Sequence, residues 1–169
     1  MSRGFVKEED QEETPLVPPR VELPNGVTNY VTQNGLAELL SEKEALLEEK
    51  TKLQATTEQE KRVLSNFINA KIHLLEERIA TAKPVNLREQ PQDEIRFGAT
   101  VTLKVNNSPK KMTYQLVGVD EADISKNKIS FISPIAKILT GKKVGDQAVL
   151  KLAKEDRVFE ILAIHYSPN

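Results

Sequence analysis

Two apolar stripes at helical spacing, between residues 32 and 83, constrain the fold of this chain most strongly. In each stripe the residues recur at intervals of three, four and seven, which places them on one face of a helix. The first stripe is Leu36, Leu39, Leu40, Leu46, Leu47 and Leu53, and the second is Leu64, Phe67, Ile68, Ile72, Leu75 and Ile79. Thr32 suits the first N-cap, and Pro84 ends the second helix. The pattern predicts an antiparallel helical hairpin, a coiled coil, over residues 32–83.

The break between the stripes predicts the tip of the hairpin. The segment Gln54-Ala55-Thr56-Thr57 lowers helix propensity, and Thr57-Glu58-Gln59-Glu60 matches a capping box. At 1.5 Å per residue, helices of about 23 to 25 residues would give arms of roughly 35 Å. We therefore expect the hairpin to project from the rest of the molecule.

Beyond residue 94 the apolar period changes from helical to two, which is typical of strands. Apolar and small residues alternate with polar ones from Ile95 to Val105, and the alternation resumes at Met112 after the turn Asn106–Pro109. Further strands are expected at 129–132, 148–152 and 158–166. The last is so apolar that we expect both of its faces to be covered.

A short helix is expected between the third and fourth of these strands. Ser133 suits its N-cap, Pro134 its first turn and Gly141 its end. The predicted fold class is therefore α+β. The hairpin is followed by a five-stranded, mostly antiparallel sheet with one short helix, over residues 94–169, after a linker at 84–93.

The first 31 residues have the composition of an extended or disordered leader. They hold six acids and three bases, with four of the nine prolines of the chain. Such a segment buries too little apolar surface to offset its conformational entropy. An alternative is that apolar residues anchor the leader on a partner; these are Phe5, Leu16, Val17 and Val21.

Composition excludes several classes of protein. A net charge of −1 argues against a nucleic-acid-coating protein, and the absence of cysteine excludes disulfides and thiolate chemistry. With no run of about 18 apolar residues and no signal-peptide core, we expect a cytoplasmic protein without a membrane span.

Other candidate sites in the sequence have ordinary explanations. His73 and His165 lack ligand spacing, so each is expected to be a surface or partly buried histidine. The segment Gly141–Gly145 does not match a phosphate-binding loop. The nearby lysines are expected to form a solvated face; they are Lys137, Lys142 and Lys143.

Two motifs resemble the bacterial GreA/GreB transcript-cleavage factors. Tyr-Val-Thr-x-x-Gly-Leu at Tyr30–Leu36 is similar to the start of their coiled coil. The run Asp120-Glu121-Ala122-Asp123, with the segment from Ile129 through Ser133-Pro134-Ile135-Ala136 to Gly145-Asp146, is very similar to their C-terminal FKBP-like domain. The acidic, proline-rich leader resembles the N-terminus of a Gre-like subgroup.

The resemblance implies a regulator of RNA polymerase rather than an enzyme. In that family the FKBP-like domain binds the rim of the secondary channel, and acids at the coil tip help to hold a polymerase-bound Mg²⁺. Transferred to this chain, the polymerase-binding residues would be Asp123, Ser133, Pro134, Ile135, Ala136 and Leu139. The resemblance implies no cofactor of its own, only indirect contact with nucleic acid, and a monomer.

The tip departs from the pattern of the family. It lacks the Gly-Asp-Leu-x-Glu-Asn-type turn, and the hairpin is shorter by about 20 residues, or ~15 Å of reach. Glu58 and Glu60 remain the candidate tip acids, and both have structural roles at a helix start. We therefore expect reduced or absent stimulation of transcript cleavage.

Two other functions stay open from the sequence. An FKBP-like fold suggests a peptidyl-prolyl isomerase, which would need an aromatic-lined apolar pocket. The candidate aromatics in the domain are Phe97, Tyr114, Phe131, Phe159 and Tyr166. A non-catalytic coiled-coil adaptor is the third hypothesis.

Overall fold

The N-terminal helices form the predicted hairpin. The computed structural model describes residues 15–167, with α1 over Gln33–Thr51 and α2 over Glu58–Thr81. Thr32 and Thr57 cap the two helices, each accepting a hydrogen bond from a backbone N–H three residues on, as the sequence predicts. With 24 residues, α2 has the expected length of about 36 Å, but α1 has only 19 residues and is about 28 Å long, because it ends at Thr51, before Leu53 of the predicted stripe.

The apolar core of the hairpin extends from its base to its middle. Val31, Leu39 and Leu75 are buried there. Leu36, Leu46, Ile79 and Ala82 pack around them. Leu40, Leu47 and Leu64, which the stripes place on the inner face, are 46, 43 and 36% exposed. Ile68 and Ile72 of α2 are also buried, so the two helices pack closely from the base to the middle of the hairpin and are more exposed beyond it.

A parallel pair of two-residue strands closes this base, and the sequence pattern does not show it. β1, Tyr30–Val31, precedes α1, and β2, Lys83–Pro84, follows α2. The backbone N–H of Lys83 donates to the carbonyl of Asn29 at 2.8 Å, and that of Val85 to Val31 at 2.9 Å. Pro84 is tolerated because its neighbours supply these hydrogen bonds.

The C-terminal part is a mixed five-stranded sheet in the order β5-β4-β3-β7-β6. Its strands are β3 Thr100–Val105, β4 Lys111–Val117, β5 Lys128–Ser130, β6 Gln147–Leu150 and β7 Arg157–His165. Three pairings are antiparallel, as predicted, but β4 and β5 are parallel. They are parallel because the loop over residues 118–127 carries the chain back along the sheet.

The prediction that both faces of β7 are covered is wrong, and a β-bulge explains its apolar run. Phe159 and Ile161 point into the core, whereas Glu160 and Ala163 are exposed. Thr102 pairs with Ala163 and Leu103 with Ile161, so Leu162 is the extra residue. The bulge shifts the alternation by one residue, and an apolar run can then serve one buried face.

The core lies between this sheet and α3, Pro134–Leu139. Ser133 caps α3 and Pro134 occupies its first turn, as predicted, while Gly141 follows with a φ of +86°. Leu87, in the segment predicted as a linker, begins a 3-10 helix over Leu87–Glu89 and is buried in the same core. Segment 84–93 therefore packs on the sheet.

No helix among residues 15–167 is both long enough and apolar enough to cross a membrane.

Candidate partner-binding surface

The loop 118–127 joins the sheet to the base of the hairpin through Glu121. The Glu121 carboxylate is almost fully buried and accepts from the Thr32 hydroxyl at 2.6 Å, the Asn34 amide at 3.0 Å and the Lys128 ammonium at 3.1 Å. The same Thr32 oxygen accepts from the backbone N–H of Gly35 at 2.9 Å. One hydroxyl thus caps α1 and binds the sheet loop, which fixes the start of the hairpin on the sheet.

Two glycines allow the close approach between the hairpin base and the sheet. A Cβ on Gly35 would lie 2.7 Å from Oε2 of Glu121, and a Cβ on Gly118 would lie 2.6 Å from the carbonyl oxygen of Tyr30. Both distances are shorter than a van der Waals contact. A side chain at Gly118 would push the two parts apart, and one at Gly35 would displace the Glu121 carboxylate from Thr32. The Tyr-Val-Thr-x-x-Gly motif and Asp120-Glu121 are therefore two halves of one joint.

An apolar groove with a volume of about 660 Å³ lies beyond this joint, on the far side of the same loop. Its lining includes Asp123 and Ile124 of the loop and Ser133–Ile135 at the start of α3. Leu150 and Leu152, at and after the end of β6, complete it. Ile124 is 71% exposed and Leu152 is 52% exposed. Exposed apolar side chains gathered around a groove are typical of a protein-binding surface.

Asp123 shapes the rim of this groove. Its carboxylate accepts from the hydroxyl of Ser125 at 2.6 Å and from the backbone N–H of Ser125 at 2.9 Å, which starts a 3-10 helix over Ile124–Lys126. These hydrogen bonds, the hydroxyl's first, lower the pKa of Asp123. Asp123 thereby holds the turn that presents Ile124 to solvent.

The structure separates the six residues that the resemblance assigns to polymerase binding. Asp123, Ser133, Pro134 and Ile135 line the groove. Ala136 and Leu139 have no exposed surface, because they face the core from the other side of α3. These two support the helix and do not lie on the surface that a partner can touch.

Ile124 and Leu152 belong to the surface but are not among the sequence candidates. Ile124 is an isolated apolar residue in a polar turn, and Leu152 follows shortly after the last residue of β6. An apolar residue in a polar turn is the signal that could identify Ile124. Leu152 falls inside the strand expected at 148–152, and only the earlier end of β6 at Leu150 leaves it on this surface.

The two tip acids do not form a metal site in the described structure. Glu58 and Glu60 are both exposed in the first turn of α2. Residues two apart point to different sides of a helix, so their carboxylates do not converge on one ion. The Glu60 carboxylate also accepts from the hydroxyl of Thr56 at 2.5 Å and from its backbone N–H at 3.1 Å. The donor set therefore does not fit Mg²⁺.

This tip differs from the predicted capping box by one residue. Thr57 caps α2 as expected, but the carboxylate of Glu60 reaches back to Thr56 rather than to Thr57. The hydroxyl of Thr56 is the larger cause that lowers the pKa of Glu60.

Other sequence candidates lie on the surface. His73 is exposed on α2 with its Nε2 3.3 Å from a carboxylate oxygen of Glu77. His165 is exposed on β7. Lys143 makes an exposed ion pair with Asp93 at 3.0 Å, which raises the pKa of Lys143. Lys137 and Lys142 lie nearby in sequence, exposed and half-buried respectively.

Comparison with known proteins identifies the family. The model of the GreA/GreB C-terminal domain, described as a transcription elongation factor, matches residues 90–166. The transcription elongation factor GreA of Halorhodospira halophila is 37% identical over 121 residues, which cover 71% of this chain and 73% of that protein. The chain belongs to the GreA/GreB family.

Other relatives match over a smaller part of their length. GreA of Acidiphilium cryptum is 44% identical over 101 residues, covering 60% of this chain and 64% of that protein. This GreA/GreB chain thus spans under two thirds of that relative. The structure of GreA factor homolog 1 of Thermus thermophilus is 27% identical, with a TM-score of 0.39 and coverage of 82% of this chain and 99% of that one. The FKBP-like description of the sheet stays a prediction.

Proposed function

We propose that this protein binds RNA polymerase at the rim of the secondary channel and regulates elongation, with reduced or absent stimulation of transcript cleavage. The observation that supports the partner is the apolar groove between Ile124, the start of α3 and Leu152, in a chain whose family consists of transcription elongation factors. Any cleavage of RNA would be carried out by the polymerase.

The tip supports the narrower claim about cleavage. Glu60 is already engaged by Thr56, and Glu58 lies on another side of the helix. Two carboxylates would have to reach one Mg²⁺ together to share it with the polymerase. A hairpin with arms of about 28 and 36 Å also has less reach than a longer coil.

A stalled, backtracked elongation complex tests partner and mechanism together. Adding the protein should change the rate at which elongation resumes, while the RNA shortens no faster than it does with polymerase alone. Glu58→Ala/Glu60→Ala should behave like the wild type, and so should Glu44→Ala/Glu49→Ala, which removes two acids from the outer part of α1.

Two results would contradict this proposal. Fast RNA shortening that is lost in Glu58→Ala/Glu60→Ala, but kept in the α1 variant, would refute the claim about cleavage. Unchanged elongation, together with failure to co-elute with core polymerase at moderate salt, would refute the partner and favour a coiled-coil adaptor.

The isomerase hypothesis ranks below the proposed regulation of RNA polymerase because of an aromatic cluster at the hairpin base. A groove of about 600 Å³ is lined by Tyr30, Phe97 and Phe131, so an aromatic-lined depression exists. However, the three rings pack on one another, with Tyr30 5.8 Å from each phenylalanine ring and the two phenylalanine rings 5.4 Å apart, so they lie too close for a proline ring to fit between them. Robust turnover of a proline tetrapeptide would reverse this ranking.

A further inference from the structure

The leader contacts three separate parts of the molecule. Residues 15–23 have no regular secondary structure and run along the hairpin near its base. A groove of about 400 Å³ is lined jointly by Val17–Val21 of the leader, Glu42 and Leu46 of α1, Lys71 and Leu74 of α2, and Asp120 of the sheet loop. The leader therefore lies where the hairpin and the sheet meet.

Arg20 supplies the polar contacts of this leader segment. Its guanidinium donates two hydrogen bonds to the carboxylate of Glu42, at 2.7 and 3.1 Å, and two to Oδ1 of Asp120, at 3.0 and 3.1 Å. One side chain thus joins α1 to the sheet loop. The hydrogen bonds to Glu42 are the largest cause that raises the pKa of Arg20, which stays charged throughout the physiological range.

Arg78 of α2 completes the cluster from the other side. Its Nε lies 3.4 Å from Oδ2 of Asp120, an ion pair whose geometry falls short of a hydrogen bond. Its Nη2 donates to the backbone carbonyl of Val21. The side chain of Asp120 is only 7% exposed, so the two arginines offset the cost of burying its charge. Two cations and two anions balance in this cluster.

We infer that the leader is a brace that sets the angle between the hairpin and the sheet, and that Arg20 is its positioning residue. Each partner of Arg20 belongs to a different part: Glu42 moves with the hairpin, and Asp120 moves with the sheet. Because a guanidinium has a fixed planar fork, four hydrogen bonds to two carboxylates allow one relative placement of those carboxylates.

Other contacts join the hairpin to the sheet without the leader, so we expect the brace to be removable in a test. Glu121 still binds Thr32 and Asn34, and β1 still pairs with β2, without any leader residue. Asp120 keeps its ion pair with Arg78. Loss of Arg20 should therefore leave both parts folded and still joined at the base. The angle between them should loosen, because α1 loses its link through Glu42, which lies farther from the base than Thr32 and Asn34 do.

Because the hairpin is long, a small change in its angle to the sheet moves its tip by a large distance. With α2 about 36 Å long, a rotation of about 10° at the base moves the tip by roughly 6 Å. A partner that holds the sheet in one place would then meet the tip over a wide range of positions. This last consequence rests on the proposed function, whereas the angle itself does not.

Distance measurement between two spin labels tests the brace without a polymerase. The chain has no cysteine, so Gln59→Cys at the tip and Lys104→Cys on β3 give specific label sites. The full chain should show one narrow distance distribution, and Arg20→Ala should broaden it by several ångströms. Arg20→Lys should give an intermediate width, because an ammonium keeps the charge but lacks the planar set of donors with which the guanidinium binds two carboxylates at once.

Lys43→Ala is the matched control. Lys43 makes an ion pair with Glu76 at 3.0 Å that joins α1 to α2 within the hairpin. Its loss should leave the distribution narrow. Raising the salt concentration should broaden the wild type towards Arg20→Ala and leave Arg20→Ala unchanged. Circular dichroism should show equal helix content in all variants.

An unchanged distribution in Arg20→Ala, or equal broadening in Lys43→Ala, would overturn the brace. Either result is independent of polymerase binding, which is measured separately. Conversely, a chain that fails to bind polymerase but shows the broadening in Arg20→Ala would refute the proposed function and leave the brace intact.

Discussion

The hydroxyl of Thr32 donates to the carboxylate of Glu121 at 2.6 Å across 89 residues of sequence, while it also caps helix α1. This contact joins the hairpin to the sheet. It links two motifs that the sequence shows separately, one at the start of the hairpin and the other in the loop after β4.

Glu121→Ala should destabilise the protein by about 2–4 kcal/mol. The change leaves the Lys128 ammonium without its carboxylate and the Thr32 hydroxyl without its acceptor, in a site that water reaches poorly. Urea unfolding followed by circular dichroism measures the change. Glu44→Ala, a glutamate on the outer part of α1, should stay within about 0.5 kcal/mol of wild type. Equal urea midpoints for Glu121→Ala and Glu44→Ala would show that the Glu121 contacts do not stabilise the protein.

Gly35→Ala should also destabilise the protein, although alanine usually stabilises a helix relative to glycine. Alanine ordinarily favours a helix over glycine by about 0.5–1 kcal/mol. At this position the new Cβ would meet Oε2 of Glu121 at 2.7 Å. In a double-mutant cycle, the cost of Gly35→Ala should disappear or change sign when Glu121 is already alanine. Additive effects of the two changes would show that Glu121 is not what requires glycine.

Thr56→Val should move the pKa of Glu60 back towards its ordinary value. The Thr56 hydroxyl is the main cause that lowers this pKa. A carboxylate with a depressed folded pKa contributes stability that is present above its unfolded pKa, about 4.3 for glutamate. That contribution is lost as the pH falls through the lower folded pKa. Titration of the Glu60 side chain by NMR gives the value directly.

Thr51→Val is the control for this titration. The Thr51 hydroxyl donates to the carbonyl of Glu48 and does not contact Glu60, so its loss should leave the Glu60 titration unchanged. If Thr56→Val has no effect either, the tip hydrogen bond does not hold this carboxylate.

Asp123→Ala should weaken binding to RNA polymerase by about 3- to 10-fold, because loss of the hydrogen bonds to Ser125 releases the turn that presents Ile124. Asn at this position can still accept from Ser125, so Asp123→Asn should bind almost like the wild type. Equal weakening in both variants would mean that the charge, rather than the turn, is what the partner needs. Titration with labelled core polymerase distinguishes the two.

Local signals in the sequence account for most of the elements. Thr32, Thr57 and Ser133 cap the helices where predicted, because a cap depends on residues three positions away. The β1–β2 pair escapes prediction because two residues carry no period and their partners lie 53 positions apart. The bulge at Leu162 is easily misread, since a register shift and a doubly covered strand give similar apolar runs.

The candidate surface could be predicted only in part. The resemblance identifies the loop and α3, but it does not show which side of α3 is buried, so it groups Ala136 and Leu139 with residues of the groove. Ile124 can be recognised as part of a binding surface only when the structure places Leu152, which follows a distant strand, on the same groove. Side chains from separate elements are brought together by packing, which sequence spacing does not report.

Binding of core RNA polymerase by Ile124→Asp tests the central claim most directly. Ile124 is 71% exposed in the groove, more than Leu152 at 52%, and a carboxylate in its place would put a desolvated charge in the interface. Val149→Asp, at a 42% exposed residue outside the groove lining, is the matched control. We predict that Ile124→Asp weakens binding at least about tenfold, or about 1.4 kcal/mol, while Val149→Asp binds like the wild type. Equal affinity of Ile124→Asp and the wild type would contradict the account.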